Sequence, residues 1–590
     1  MKTLILIFCL FIFISTHISA QDEPILVVDP QGHSGTVADM LFTNNGKTLI
    51  SISNDKTIRF WDSHAGTLIR TLRGEFGEGA DGVLFSCALS PDGHLFAIGG
   101  FPFKYGIRVF NLDNGAQEAT LKGVKSGMND LCFSPDGNLL AGACADKTIR
   151  IWKMNNKNNI EPRYAAVIEG HTAPVYSIAF SPDGKKLISG SFDGSVRMWN
   201  VSDLEAIKQI AIMRKHETEV RCVAYSPNGR QIVSGGFDNK ILLWDTAGHF
   251  IRQIDELQQS INTLTFSSDG RNLLAMSKTG VVYSMATFKR LQIFNRHNNT
   301  VTAACFFKND LVATAGGNDN DIYVWNPSNG EIISHIVGKG RTVWSLAFDN
   351  KVNIQPEYSL AIGNKSDPVS ANNRGPLNQV FNLNNFTLQK TLADEKFFTR
   401  VKDEHLGTTL ERIDNYTLEI KKGKSTWRIT KAEGRINCYT FTKDGRVVIG
   451  TDFSLEIYSA EGKFMKKLVH HTGSIWSVSV SRDGKLLASG SDDFTINFWN
   501  LATGENLFTL FVGTDNEWVI WCKRGYYVAS KGGEKYLGWH INKGIDHIAE
   551  FYEARTYRKK YYKPSLIQKI IQHASFEKAW LEYTRSVKPK

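Results

Sequence analysis

The chain has 590 residues, 42% hydrophobic and 22% charged, and a net charge of +10. That length excludes a single ordinary domain of roughly 150 residues, and the composition is that of a globular protein with no low-complexity tract. The cysteines are scattered and form no CxxC, which excludes a zinc site of the usual spacing and a disulfide-dense scaffold.

The first twenty residues stand apart. Lys2 gives a positive start, Leu4 to Ile14 is an apolar run, and Ser19-Ala20 is a small-residue end before Gln21. This is the layout of a secretory signal peptide, too short for a bilayer span of about 20 apolar residues. The other reading of the run is an uncleaved anchor. The expectation is an exported chain, periplasmic or extracellular, that starts near Gln21. Seven cysteines then remain: Cys87, Cys132, Cys144, Cys222, Cys305, Cys438 and Cys522. Cys87, Cys132, Cys222 and Cys438 recur in one position of a repeated phrase and read as small buried hydrophobes.

That phrase stands at 181–200 as SPDGKKLISGSFDGSVRMWN and at 226–245 as SPNGRQIVSGGFDNKILLWD. Its turn glycine falls at Gly46, Gly93, Gly137, Gly184, Gly229 and Gly270, then again at Gly445 and Gly484. Steps of 41 to 47 residues in the first series signal a repeat architecture. Each unit reads as four short strands. In the fourth, VYSIAF is followed by a Pro182–Gly184 turn, KLISGS, an FDG turn, SVRMWN and AIKQIAIM. A lone sheet of this size cannot cover both its faces, whereas neighbouring copies in a ring can, so the repetition predicts β-propellers.

Four units share a spaced set of polar residues: His33, Ser51, Asp55 and Trp61; His171, Ser189, Asp193 and Trp199; His216, Ser234, Asp238 and Trp244; His471, Ser489, Asp493 and Trp499. These resemble the hydrogen-bonded tetrad of the WD-repeat family. The resemblance covers roughly 24–545 and implies a structural role, with Asp bonded to His, His to Ser and Ser to Trp. Ser, His and Asp also suggest a hydrolase triad, but four copies at one spacing and no G-x-S-x-G turn argue against catalysis.

Seven units begin near 32, 76, 124, 170, 216, 260 and 297. The second has Phe110 for Trp, the third has Gly142 for Ser and no His, and the seventh regains Trp at 325. Beyond 338 the phrase loosens, and 393–432 reads as a degenerate unit, 433–470 and 471–512 as clear ones, and 513–545 as a partial one. The count is about twelve blades. Most propellers have four to eight, so two rings are expected, seven plus five or six plus six. The expected division is a signal peptide at 1–20, a first propeller at 21–337, a second at 338–545 and a basic helical tail at 546–590. PILVVDPQGH (24–33) is expected to lend a strand to a final blade, and the chain could also start one ring, build the other and return.

Residues 516–564 resemble the segment that follows the propeller in bacterial WD-repeat proteins fused to caspase-like peptidase domains. No match to the peptidase's catalytic Cys motif accompanies it, so relatedness of the scaffold is implied without peptidase activity. In the tail, SLIQKIIQHASFEKAWLEY places Leu566, Ile567, Ile570, Ile571 and Ala574 at helical spacing. It reads as a helix docked on the second ring. The sharper reading uses its cations, among them Arg558, Lys559, Lys560 and Lys563, for peripheral contact with an acidic partner or an anionic surface.

The expected fold class is therefore all-β, tandem WD-repeat propellers with a short helical tail. The expected function is a non-enzymatic scaffold that binds protein partners through propeller faces, with Phe101, Phe103, Phe192 and Phe237 as candidate contacts. No cofactor, metal or nucleic acid is expected. Two rivals stand beside it: a regulatory partner of a separate caspase-like peptidase, and an enzyme or carbohydrate binder using a central channel. The second rival needs converging carboxylates or His on several innermost strands, where mainly Cys, Ser, Ala and aliphatics are read.

Overall fold

The computed structural model describes residues 24–587 apart from 44, 75–81, 101–105, 155–159, 161–162, 350–357, 366–374, 395–397, 400–402, 432–433 and 545–546. The expected signal peptide and the Phe101–Phe103 loop lie outside the described residues.

Local chemistry sets the strands. In the fourth unit Gly184 takes φ +69°, which only glycine adopts freely, and its N–H donates to the Ser181 carbonyl at 2.8 Å. The Ser181 hydroxyl donates to Asp183 at 2.5 Å and accepts the Lys186 N–H at 2.9 Å, which aims the chain into Lys186–Ser191. The second and third strands then lay apolar residues on both faces, and the outer fourth strand is largely exposed. The pattern repeats through seven four-stranded antiparallel sheets spanning 37–73, 84–121, 128–168, 175–213, 220–256, 263–294 and 301–336.

The first strand of each sheet packs on the first strand of the next, and the seventh, Val301–Phe307, packs back on the first, Val37–Phe42. The sheets thus follow one another around a cycle. Apolar clusters fill the spaces between neighbours; one joins Val37, Met40, Leu49 and Trp61 to Ala313, Ile322 and Val324. The same junction carries Thr302 Oγ1 to the Val37 carbonyl at 2.7 Å and Ser334 Oγ to the Ser63 carbonyl at 2.6 Å. The seventh sheet takes all four strands from its own segment, so no strand is exchanged there.

Four sheets follow in a second body. The 404–430 sheet packs on the 438–469 sheet and that on the 475–529 sheet, which also packs on the 345–399 sheet, the earliest of them in sequence. Residues 513–545, read from sequence as a partial unit, build no four-stranded sheet of their own. Trp518–Trp521 and Tyr527–Ala529 extend the 475–529 sheet to six strands, because Val519, Ile520 and Trp521 continue its apolar faces.

The N-terminal strand Ile25–Val28 joins this second body rather than the seventh sheet. It pairs antiparallel with Leu537–Ile541, Ile25 opposite His540 and Val28 opposite Leu537. The chain therefore starts in one body, builds the other and returns. The outgoing and returning segments meet: Lys339 N–H donates to the Pro30 carbonyl at 2.7 Å, and a Cβ on Gly32 would fall 2.4 Å from Gly338 Cα. Asp29 anchors the crossing. It accepts from Arg59 at 2.9 Å and from Arg73, and these cations hold its buried carboxyl below the usual range against the opposing effect of burial.

The C-terminal segment folds as short helices, Pro564–His573 and Phe576–Val587 among them. Leu566, Ile567, Ile570, Ile571 and Ala574 are buried against Leu507, Phe508, Val528 and Phe381. The Ala574 carbonyl accepts from Asn500 Nδ2 at 2.8 Å. Among the described residues no helix is long and apolar enough to cross a membrane.

Deletion of residues 24–28 is expected to expose Trp539, which is buried beside that strand, and to lower the melting temperature. A Trp emission maximum and a thermal melt identical to wild type would show that the terminal pairing carries no load.

Candidate functional site

The polar sets come together in space. Across the four, His Nδ1 lies 2.8–3.0 Å from its Asp, His Nε2 lies 2.7–2.9 Å from its Ser, and the Trp indole N–H lies 2.8–3.0 Å from the same Ser oxygen. The proton order follows from chemistry. An indole only donates, so the Ser oxygen accepts from Trp and donates its own hydrogen to Nε2. The ring proton then sits on Nδ1, facing the carboxylate. Thr57, Ser195 and Thr495 each add a hydroxyl donor to their Asp at 2.5–2.6 Å.

Burial alone would raise these carboxyls. For Asp55 the attraction and hydrogen bond of His33, with Arg59 and Thr57, outweigh it and hold the group below the usual range; for Asp193 the bonds from His171, Ser195 and the Thr172 N–H do so. Burial pushes the His33 and His171 imidazoles down. Ser51, Ser189, Ser234 and Ser489 are wholly buried, each with its oxygen already engaged, so no substrate carbonyl has a path to them.

A partial fifth set, without an Asp bonded to its His among the described residues, was not legible. In the seventh sheet Thr314 takes the place of Ser, 3.0 Å from His297 Nε2 and 3.3 Å from the Trp325 indole nitrogen. Its spacings are 17 and 11 residues, against 18 and 10 in the first sheet, so a fixed-spacing search passes over it. Burial pushes His297 down to about 4. In the third sheet Gly142 leaves the Trp152 indole N–H buried without a partner among the described residues, and a Cβ at 142 would meet Met128 Sδ at 2.6 Å.

The seven first strands surround a channel of about 480 Å³. Asp39 and Asp130 line it, two carboxylates that the sequence reading did not single out. Each bonds across to the next sheet, Asp39 Oδ2 accepting the Cys87 N–H and Asp130 Oδ2 the Ile178 N–H, both at 2.9 Å. Burial pushes Asp39 up to about 6 and Asp130 up to about 7. Among the described residues no group of His, Cys, Asp and Glu is arranged to hold a metal.

At the mouth of this channel stands a surface cluster. The Arg221 guanidinium lies 5.3 Å from the Tyr176 ring centroid and 5.4 Å from that of Phe237, and Tyr176 meets Phe192 edge-on at 5.9 Å. Phe192 and Phe237 are 44% and 40% exposed. Of the tail cations, Arg558 pairs with Glu534 and lies over Tyr562 at 4.1 Å, Lys563 donates to the Lys559 carbonyl at 3.1 Å, and Lys559 and Lys560 are exposed.

Six segments, 24–62, 115–153, 163–200, 207–245, 288–326 and 462–500, match the family described as WD domain, G-beta repeat. The chain carries WD repeats. The WD segment 163–200 runs from the outer strand Ala166–Ile168 of one sheet through the third strand of the next. In the segment 24–62 that leading place falls to Ile25–Val28, the strand given to the second body. Similar proteins include the target of rapamycin complex subunit wat1 of Schizosaccharomyces pombe, 30% identical over 108 residues, 18% of this chain and 32% of that protein. Transducin beta-like protein 2 of Mus musculus is 30% identical over 155 residues, 25% and 32% of the two chains. Small ribosomal subunit protein RACK1y of Oryza sativa is 30% identical over 136 residues, 22% and 36%. The matched stretch spans about a third of each relative.

Two carboxylate classes with opposite shifts predict a pH signature. Asp193 sits low when folded, so its contribution is present above about pH 4 and is lost in acid; Asp130 sits high, so its contribution is greatest below about pH 4 and is lost as pH rises through about 7. Asp193→Asn is expected to lower stability by about 1–3 kcal/mol at pH 7, less at pH 3. The stability of Asp130→Asn relative to wild type is expected to rise from pH 4 to 7 and then level, whatever its constant offset. Thermal or denaturant melts across this range check both slopes.

Proposed function

We propose that this chain is an exported, non-enzymatic scaffold that binds partner proteins through the face of its seven-sheet ring where the channel opens. The observation that carries the reading is the cluster of Tyr176, Phe192, Arg221 and Phe237. Exposed aromatics packed around an arginine are the residue types that dominate protein interfaces. Phe192 and Phe237 sit on turns, and Tyr176 and Arg221 on the first strands, of a rigid frame, so they lose little freedom on binding. Two of the similar proteins are named as parts of larger assemblies, a rapamycin-target complex and a small ribosomal subunit, which agrees with a scaffold role.

The channel supports this reading over an enzyme. Its two carboxylates are spent on neighbouring backbone N–H groups, and the tetrad serines are sealed. In the same proposal the seven sheets form one complete propeller, the remaining sheets a second smaller body, and the exported chain starts near Gln21.

The double variant Phe192→Ala/Phe237→Ala is expected to keep the wild-type melting temperature and to lose the proteins that wild type captures from its source organism. Capture of the same set by both would refute the proposed face. Intact mass of the mature protein is expected to begin at Gln21; a mass retaining residues 1–20 would refute export by cleavage.

A further inference from the structure

A groove of about 410 Å³ lies between the outer strand Phe464–Val469 of the 438–469 sheet and the outer part of the 475–529 sheet, with Phe576 of the last helix also lining it. Its charge is one-sided. Lys466, Lys467, Lys523 and Arg524 face a single carboxylate, Glu505. The Arg524 guanidinium lies 4.3 Å from the Phe576 ring centroid, which fixes its position. Trp499 and Leu507 supply apolar surface.

Asn506 lines the same groove and has no role in the fold described above. Its Oδ1 and Nδ2 are both buried, and neither makes a hydrogen bond within the chain among the described residues. Exchanging the two atoms changes nothing, because both are unpartnered. Folded proteins rarely leave a buried donor and a buried acceptor unmet on one side chain, because each is costly. A lone carboxylate or a fully ionised phosphate offers acceptors only and would leave Oδ1 unmet. A peptide group presents a carbonyl and an N–H together and satisfies both atoms. The cations around it favour carboxylate side chains flanking that peptide group.

We propose that this groove binds an acidic peptide segment of a partner protein, one peptide group paired with Asn506 and its carboxylates with Lys466, Lys467 and Arg524. The proposal rests on the scaffold reading only in taking a protein as the partner.

The test titrates the full chain against a fluorescein-labelled, end-blocked peptide of alternating Glu and Asp, beside tripolyphosphate and phosphatidylserine vesicles. The peptide is expected to bind, more weakly as salt is added. Affinity is expected to fall at least about tenfold in Asn506→Leu and in Lys467→Glu. Asn506→Leu is expected to keep or raise the melting temperature, since it removes two unpaired polar atoms. No peptide binding, or equal binding by wild type and Asn506→Leu, overturns the proposal. Tripolyphosphate binding as tight as the peptide's overturns it in favour of a bare anion site. Vesicle binding lost in Lys467→Glu, without peptide binding, overturns it in favour of a membrane contact. Phe192→Ala/Phe237→Ala is expected to bind the peptide like wild type, so failure at this groove and failure at the channel face are read separately.

Discussion

Each of the seven sheets in the ring has two apolar faces and needs a neighbour on each. A four-stranded sheet with Ile, Val and Trp on both sides gains nothing by folding alone, since one face at least would stay wet. Stacking in a cycle meets that need for seven sheets at once, and the contact of Val301–Phe307 with Val37–Phe42 is what leaves no end sheet. The closing junction is held by side-chain packing and two side-chain-to-carbonyl bonds, without a shared strand. In the four units that carry them, the Asp–His–Ser–Trp chains then tie the loop at the head of the unit, its second turn and its third strand to one another. That leaves exposed turns, such as those carrying Phe192 and Phe237, on a fixed base.

Much of this was legible because repetition amplifies it. One SPDG turn is weak evidence, but eight such turn glycines at a near-constant step admit few architectures. The tetrads were legible to the residue because a hydrogen-bonded chain across two turns tolerates little change in spacing. Where the spacing shifted by one, at His297, Thr314 and Trp325, the His–hydroxyl–Trp part of that geometry persisted unseen, without an Asp bonded to the His among the described residues. Asp39 and Asp130 were missed for another reason. In an alternating strand a carboxylate reads as solvent-facing, and nothing in TVADMLF or GMNDLCF says that the solvent side is a channel.

The harder failures concern long range. Nothing local distinguishes a strand that closes its own ring from one that pairs with Leu537–Ile541, and ILVV suits either. WVIW and YVA carry strand composition but not the number of neighbours they will join, so they read as the start of a new unit and instead widen an existing sheet. The place of the 345–399 sheet beyond the 475–529 sheet is likewise a matter of which apolar faces meet, Leu346 and Phe348 against Phe498, and not of order along the chain.

The pairing of Ile25–Val28 with Leu537–Ile541 bears on how the molecule is made. On the ribosome the strand Ile25–Val28 emerges before the seven ring sheets, and its partner Leu537–Ile541 after them. The seven-sheet ring can finish while the growing chain is still attached, but the second body cannot be completed until Leu537–Ile541 has been translated. Through that interval Leu26 and Val27 lack the cover they have when folded. A sticky strand left waiting on a nascent chain is an obvious client for whatever machinery escorts it.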